Sequence, residues 1–113
     1  MVSINKTSNG VLSFCKCCNT YQLEFGNIFI SFSDKNFAAF QSYIENIDID
    51  KSTERNKHKP FNRKIMLSFS EKNVFFCLYP EELRELRILI FIDEVYPEYE
   101  KYKNFSFPAI LAN

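Results

Sequence analysis

Apolar and polar residues alternate with period two through "YQLEFGNIFISF", residues 21–32. Successive side chains of a strand point to opposite faces, so this alternation predicts a half-buried hairpin. Gly26-Asn27 at its centre is a two-residue turn signal. That turn pairs Phe25 with Ile28, Leu23 with Ile30 and Tyr21 with Phe32, and all six share one face. The pattern returns in "IMLSFSEKNVFFCL", residues 65–78. There a Glu71-Lys72 turn pairs Phe69 with Val74, Leu67 with Phe76 and Ile65 with Leu78, again giving one apolar face. A Cys18-Asn19 turn extends the first hairpin backwards, pairing Lys16 with Tyr21, Phe14 with Leu23 and Leu12 with Phe25. Five strands are predicted, at 11–17, 20–25, 28–32, 64–70 and 73–78.

After each hairpin the period changes. Ser33 or Asp34 offers an N-cap oxygen to a free amide of the first helical turn. Phe37, Phe40, Ile44 and Ile47 then recur at helical spacing. "YPEEL" places Pro80 at a first helical position, with Glu81 and Glu82 near the positive helix end. Leu83, Leu86, Ile90 and Glu94 line one stripe, which Ile88, Leu89, Phe91 and Ile92 widen until the helix needs cover on more than one side. Pro97 ends it. Residues 50–64, "DKSTERNKHKPFNRK", are polar and aperiodic and predict a mobile loop. The expected architecture is α+β and two-layered, an antiparallel sheet of about five strands with two helices on one face. The order is β-β-β-α-β-β-α. One domain, 1–113, holds two pseudo-twofold halves (11–49 and 64–96), a joining loop at 50–63 and an extended tail at 97–113.

The stretch "CKCCNTYQLEFGN", followed beyond the polar linker by "NRKIMLSFSEKNVFFCLYPEELRELRILI", resembles a family of small bacterial proteins of unknown function. That family has an N-terminal cysteine pair before an FGN hairpin and an RKI strand after the linker. The resemblance covers residues 14–92. It implies no activity and no site residues.

Composition narrows the functional classes. The chain has 113 residues, 46% of them apolar, which suits one domain with its own core. Two glycines in all argue against a phosphate-cradling loop. Fourteen basic residues balance fourteen acidic ones, so net charge draws the chain to neither nucleic acid nor membrane. "MVSINKTSNGVLSF" lacks the apolar run and cleavage site of a secretory signal. Ile88–Ile92, the longest apolar stretch, is too short to span a bilayer. A cytoplasmic chain with reduced thiols is expected.

Chemistry concentrates in "FCKCCN", residues 14–19, which holds three of the four cysteines. Zinc takes four ligands, and its usual knuckle is C-x-x-C. Here the spacings are C-x-C and C-C. Along a straight strand Cys15 and Cys17 lie about 7 Å apart, and Cys17 and Cys18 point opposite ways. The leading reading is therefore structural thiols with no metal and no cofactor. The alternative is a zinc-binding or thiol-based sensor drawing on Cys15, Cys17, Cys18, Cys77 and His58. His58, the only histidine, lies between Lys57 and Lys59 in the predicted loop, where nothing positions it as a base for a nucleophilic cysteine. No catalytic residue and no enzyme are expected.

Two surfaces remain. Lys51, Arg55, Lys57, Lys59, Arg63 and Lys64, with Phe61 for stacking, make nucleic-acid binding through 51–64 a third reading. The balanced overall charge speaks against it. Phe29, Met66, Phe75 and Tyr79 on the sheet's far face, with Ile88 and Phe91 of the second helix, have no assigned cover. Burying each large apolar side chain is worth about 1.5–3 kcal/mol. The expected function is a non-catalytic interaction or regulatory module, homodimeric or bound to a protein partner, with no membrane partner.

Overall fold

Each hairpin does run straight into a helix. The strands are β1 (Val2–Lys6), β2 (Gly10–Cys15), β3 (Thr20–Phe25) and β4 (Ile28–Ser33), then helices α1 (Asp34–Glu45) and α2 (Ile49–Asn56), then β5 (Ile65–Ser68), β6 (Phe75–Leu78) and α3 (Pro80–Ile90). The computed structural model describes residues 1–68 and 73–91. Phe69, the Glu71-Lys72 turn, Ile92, Glu94, Pro97 and the tail at 97–113 lie outside the described residues.

The chain is α+β with antiparallel sheets, as expected, but its strands divide differently. β1 to β4 form a four-stranded sheet in chain order, and β5 and β6 form a separate two-stranded one. β1 was not expected. Its five residues, "VSINK", are too few and too polar to announce a strand, and pairing with β2 is what holds them. The Gly26-Asn27 hairpin has the expected register, Phe25 opposite Ile28, Leu23 opposite Ile30 and Tyr21 opposite Phe32. Gly26 has φ +60, the left-handed conformation that glycine adopts without strain. In the second hairpin Ile65 faces Leu78 and Leu67 faces Phe76, also as expected.

The first turn is a correction. Leu12 faces Leu23 and Phe14 faces Tyr21, a slip of two residues from the expected pairing. A slip of two keeps every side chain on its own face, so the apolar pattern alone does not resist it. Its consequence is a longer connection, Lys16 to Asn19, in place of a two-residue turn.

The polar segment at 50–63 is a second correction, because its first half is helical. Asp48 caps α2 by accepting from the Lys51 amide at 3.0 Å, and Arg55 sits in the last turn, where positive charge is favoured. Buried Asn56 then donates from Nδ2 to the Lys64 carbonyl at 2.7 Å, fastening α2 to the approach of β5.

One core joins the elements. Leu12, Leu23, Phe25 and Phe32 of the larger sheet meet Phe37, Phe40 and Ile44 of α1 and Leu83, Leu86 and Leu89 of α3. Ile65, Leu67 and Leu78 of the small hairpin enter the same cluster. Tyr21 stacks on Phe37 with ring centroids 4.2 Å apart. Ser33 accepts from the Asn36 amide, which makes it the expected cap of α1.

Helix α3 is the central strut. Its Arg87 donates to the carbonyls of Ile44 and Glu45 in the last turn of α1 and of Ile47 just beyond it. Gln41 of α1 donates in return to the Ile90 carbonyl at 2.7 Å. On the other side Gly10 lets α3 approach the sheet, since a Cβ there would lie 2.5 Å from Leu89 Cδ2 and 2.9 Å from the Glu24 carbonyl oxygen. Ile88 and Phe91, expected at an interaction surface, are buried at 6% and 7% exposure. The wide apolar face of α3 is covered from within the chain.

Candidate metal centre

Strand β2 ends at Cys15, which pairs with Thr20 across the ladder. The chain then reverses through Lys16, Cys17, Cys18 and Asn19. Asn19 takes φ 55, a left-handed conformation that asparagine tolerates better than most residues. This bend removes the obstacle that a straight strand would impose. Cys15 Sγ lies 3.2 Å from Cys17 Sγ, and Cys17 Sγ lies 3.8 Å from Cys18 Sγ. All three sulfurs fall within 4.8 Å of one another. Four thiolates at about 2.3 Å from zinc occupy tetrahedral corners about 3.8 Å apart. The three sulfurs thus span nearly the face of such a tetrahedron with no change of fold.

Their environment is uneven. Cys15 is buried, while Cys17 and Cys18 are exposed. Hydrogen bonding from the Cys17 thiol, then from Cys18, holds the Cys15 thiol down to about 7 from an ordinary 9.0. Cys18 moves the other way, to about 11, because its proton is engaged by Cys15 and Cys17 and their negative charge opposes a further thiolate. The trio therefore shares its charge, as closely spaced thiols must. A divalent cation would relieve that repulsion and draw off the remaining protons.

The other sequence-derived candidates are not part of this group. Cys77 is half-buried in β6, opposite Met66 on the small hairpin, and His58 is exposed beyond α2. Among the described residues, Cys15, Cys17 and Cys18 form the cluster of possible metal ligands. The basic segment stays on the surface, but three of its cations are paired within the chain. Lys57 pairs with Glu54 at 2.6 Å, and Arg63 pairs with Glu82 at 2.9 Å while lying over the Tyr79 ring. Lys64 Nζ donates to the carbonyls of Lys59 and Phe61. Half of the six cations are thus engaged within the chain, while Lys51, Arg55, Lys57, Lys59 and Arg63 remain exposed.

The expected interaction face divides between the two sheets. Phe29 is 64% exposed on β4, Phe75 is 47% exposed on β6, Tyr79 is exposed beside it, and Met66 is half-buried. One polar cluster escaped sequence reading altogether. Glu85 is fully buried on α3, and its carboxylate accepts from the Thr7 hydroxyl, from the Asn9 amide at 2.8 Å and from Asn9 Nδ2 at 2.9 Å. Asn5 Nδ2 donates nearby to the Ile88 and Leu89 carbonyls. A signal did exist in "NKTSNG", where short polar side chains suited to backbone bonding crowd one turn, but nothing local points from it to Glu85.

Among the described residues, no helix is long and apolar enough to cross a membrane. A family model covers residues 1–112, so the chain belongs to a family of unknown function (DUF6686), in line with the resemblance read from the sequence. No curated protein and no solved structure matches it.

Proposed function

We propose that this member of the family is a small non-catalytic module that binds zinc through Cys15, Cys17 and Cys18 and serves a regulatory role in the cytoplasm. The observation that supports this reading is the convergence of three sulfurs within 4.8 Å on one four-residue turn. Thiolates suit zinc among the common divalent ions. Three ligands from one chain leave a fourth position for water or a partner's side chain, which fits a sensor better than a closed structural site. Among the described residues, no His, Asp or Glu joins the cluster.

Reduced, tag-free protein is expected to take up one equivalent of zinc, measured by atomic emission after gel filtration. Cys17→Ser with Cys18→Ser should lose that zinc and keep the fold, since both side chains are exposed. Wild-type protein that leaves the column free of zinc after reconstitution overturns the proposal. The outer face of the small hairpin favours a second reading alongside the first. Phe75 and Tyr79 are exposed there beside half-buried Met66 and Cys77. This face supports homodimerisation.

A further inference from the structure

We infer that Cys17 and Cys15 form a dithiol–disulfide couple in which a small disulfide oxidises the turn and expels the metal. The inference rests on the cysteine turn proposed above as a zinc site, but its chemistry does not need zinc to be bound.

Geometry selects the pair. Cys15 Sγ and Cys17 Sγ are already 3.2 Å apart. A disulfide bond is about 2.05 Å long, so closing it takes a movement of about 1.2 Å within a turn whose Cys17 side is exposed. Cys17 and Cys18 start farther apart, at 3.8 Å. They are also joined through one planar trans peptide, which a ring between adjacent residues would have to twist. Exposure then assigns the order of events. Cys17 is exposed and can meet a bulky disulfide, whereas Cys15 is buried behind it. Attack follows a line through both sulfurs of the disulfide, which requires open access to the entering thiol.

The reaction balances with a low-molecular-weight disulfide such as glutathione disulfide as oxidant. The Cys17 thiolate attacks one of its sulfurs, the S–S bond breaks, and one small thiol leaves and takes a proton. Cys15 then attacks the Cys17 sulfur of the mixed disulfide, forming the Cys15–Cys17 bond and releasing the second small thiol. The protein loses two electrons and two protons, and the oxidant becomes two thiols. Two of the three metal-binding sulfurs are consumed, so a bound zinc is left with Cys18 alone.

Full-length metal-free protein, treated with glutathione disulfide and quenched in acid, tests this by thiol counting and peptide mass mapping. The expected product has lost two of its four thiols, linked within one chain between Cys15 and Cys17 with no interchain disulfide. Cys18→Ser should give the same link. Cys15→Ser should stop at a lasting glutathione adduct on Cys17. In zinc-loaded wild type, a colorimetric chelator should register zinc release in step with disulfide formation. A Cys17–Cys18 link, an adduct of Cys15→Ser mainly on Cys18, or no intramolecular link at all would overturn the couple. Zinc-loaded protein that keeps both its metal and its thiols under the same oxidant would overturn the expulsion. Should wild type bind no zinc, the zinc proposal and the expulsion fall together, while the mapping on metal-free protein still decides the couple.

Discussion

Glu85 has no exposed surface, and its carboxylate holds the β1–β2 turn through Thr7 and Asn9. All its partners are donors, so the site is built for an acceptor. Glu85→Leu removes every acceptor at the site and strands the Asn9 amide N–H. Leaving a buried polar group unsatisfied costs about 1–3 kcal/mol, and a loss of that size is expected in urea unfolding. A midpoint unchanged from wild type would show that the turn does not depend on the carboxylate. Nothing in "PEELRELRILI" distinguishes Glu85 from the solvated Glu81, because its burial is set by a turn some eighty residues earlier in the chain. The cysteines pose the same problem of scale. Their residue types were legible, but their convergence depends on where β2 stops. At the proposed zinc site protons would compete with metal for them, which gives a pH dependence. Cys18, pushed up to about 11, must yield a proton to zinc at any ordinary pH, while Cys15, held near 7, must do so only below that value. Zinc affinity should therefore fall with falling pH, by about tenfold per unit for each proton displaced, and more steeply below about 7 than above it. Competition titrations across pH 6–8 measure this, and a flat profile would exclude thiolate ligation.

At the scale of elements, the hairpins were legible because period-two alternation and Gly26-Asn27 both specify them. The β2–β3 connection was only half legible, since two registers differing by two residues bury the same side chains. Helix α2 was hidden for a different reason. Ile49 is its one large apolar residue, so it shows no periodic stripe and depends on its ends. The Asp48 cap then matters more than in a helix carried by packing. Asp48→Ala should cost about 1 kcal/mol, read locally as faster amide exchange over residues 49–56 with α1 and α3 unaffected. Equal loss of protection in all three helices would mean that α2 does not open as a separate unit. Gly10 makes the opposite case, a residue whose role comes from the approach of α3 to the sheet. Gly10→Ala must displace Leu89 or the Glu24 backbone, and overpacking of this kind costs about 1–3 kcal/mol.

For the whole molecule, the division into two sheets changes what self-association would use. On the four-stranded sheet Phe29 stands opposite Glu24, with Gln22 and Ser31 forming the next outward pair. A single apolar residue among polar neighbours is ordinary protein surface. The small hairpin is different. Its outward pairs are Met66 with Cys77 and Ser68 with Phe75, and Tyr79 follows at the mouth of α3 with Arg63 over its ring at 4.4 Å. Val74, 55% exposed, adjoins them. This face is apolar at its centre with an arginine at its rim, the composition that interfaces favour. A two-fold pairing would place the same patch on both subunits, so one introduced charge appears twice at the contact. Light scattering at micromolar concentration is therefore expected to give a dimer for wild type and for Phe29→Asp, and a monomer for Phe75→Asp. Phe75 is exposed in the single chain, so its replacement should leave the core and the circular dichroism spectrum intact. Wild-type protein that holds a mass near 13.4 kDa across the accessible range would end the dimer reading, and dissociation by Phe29→Asp alone would move the interface to the larger sheet.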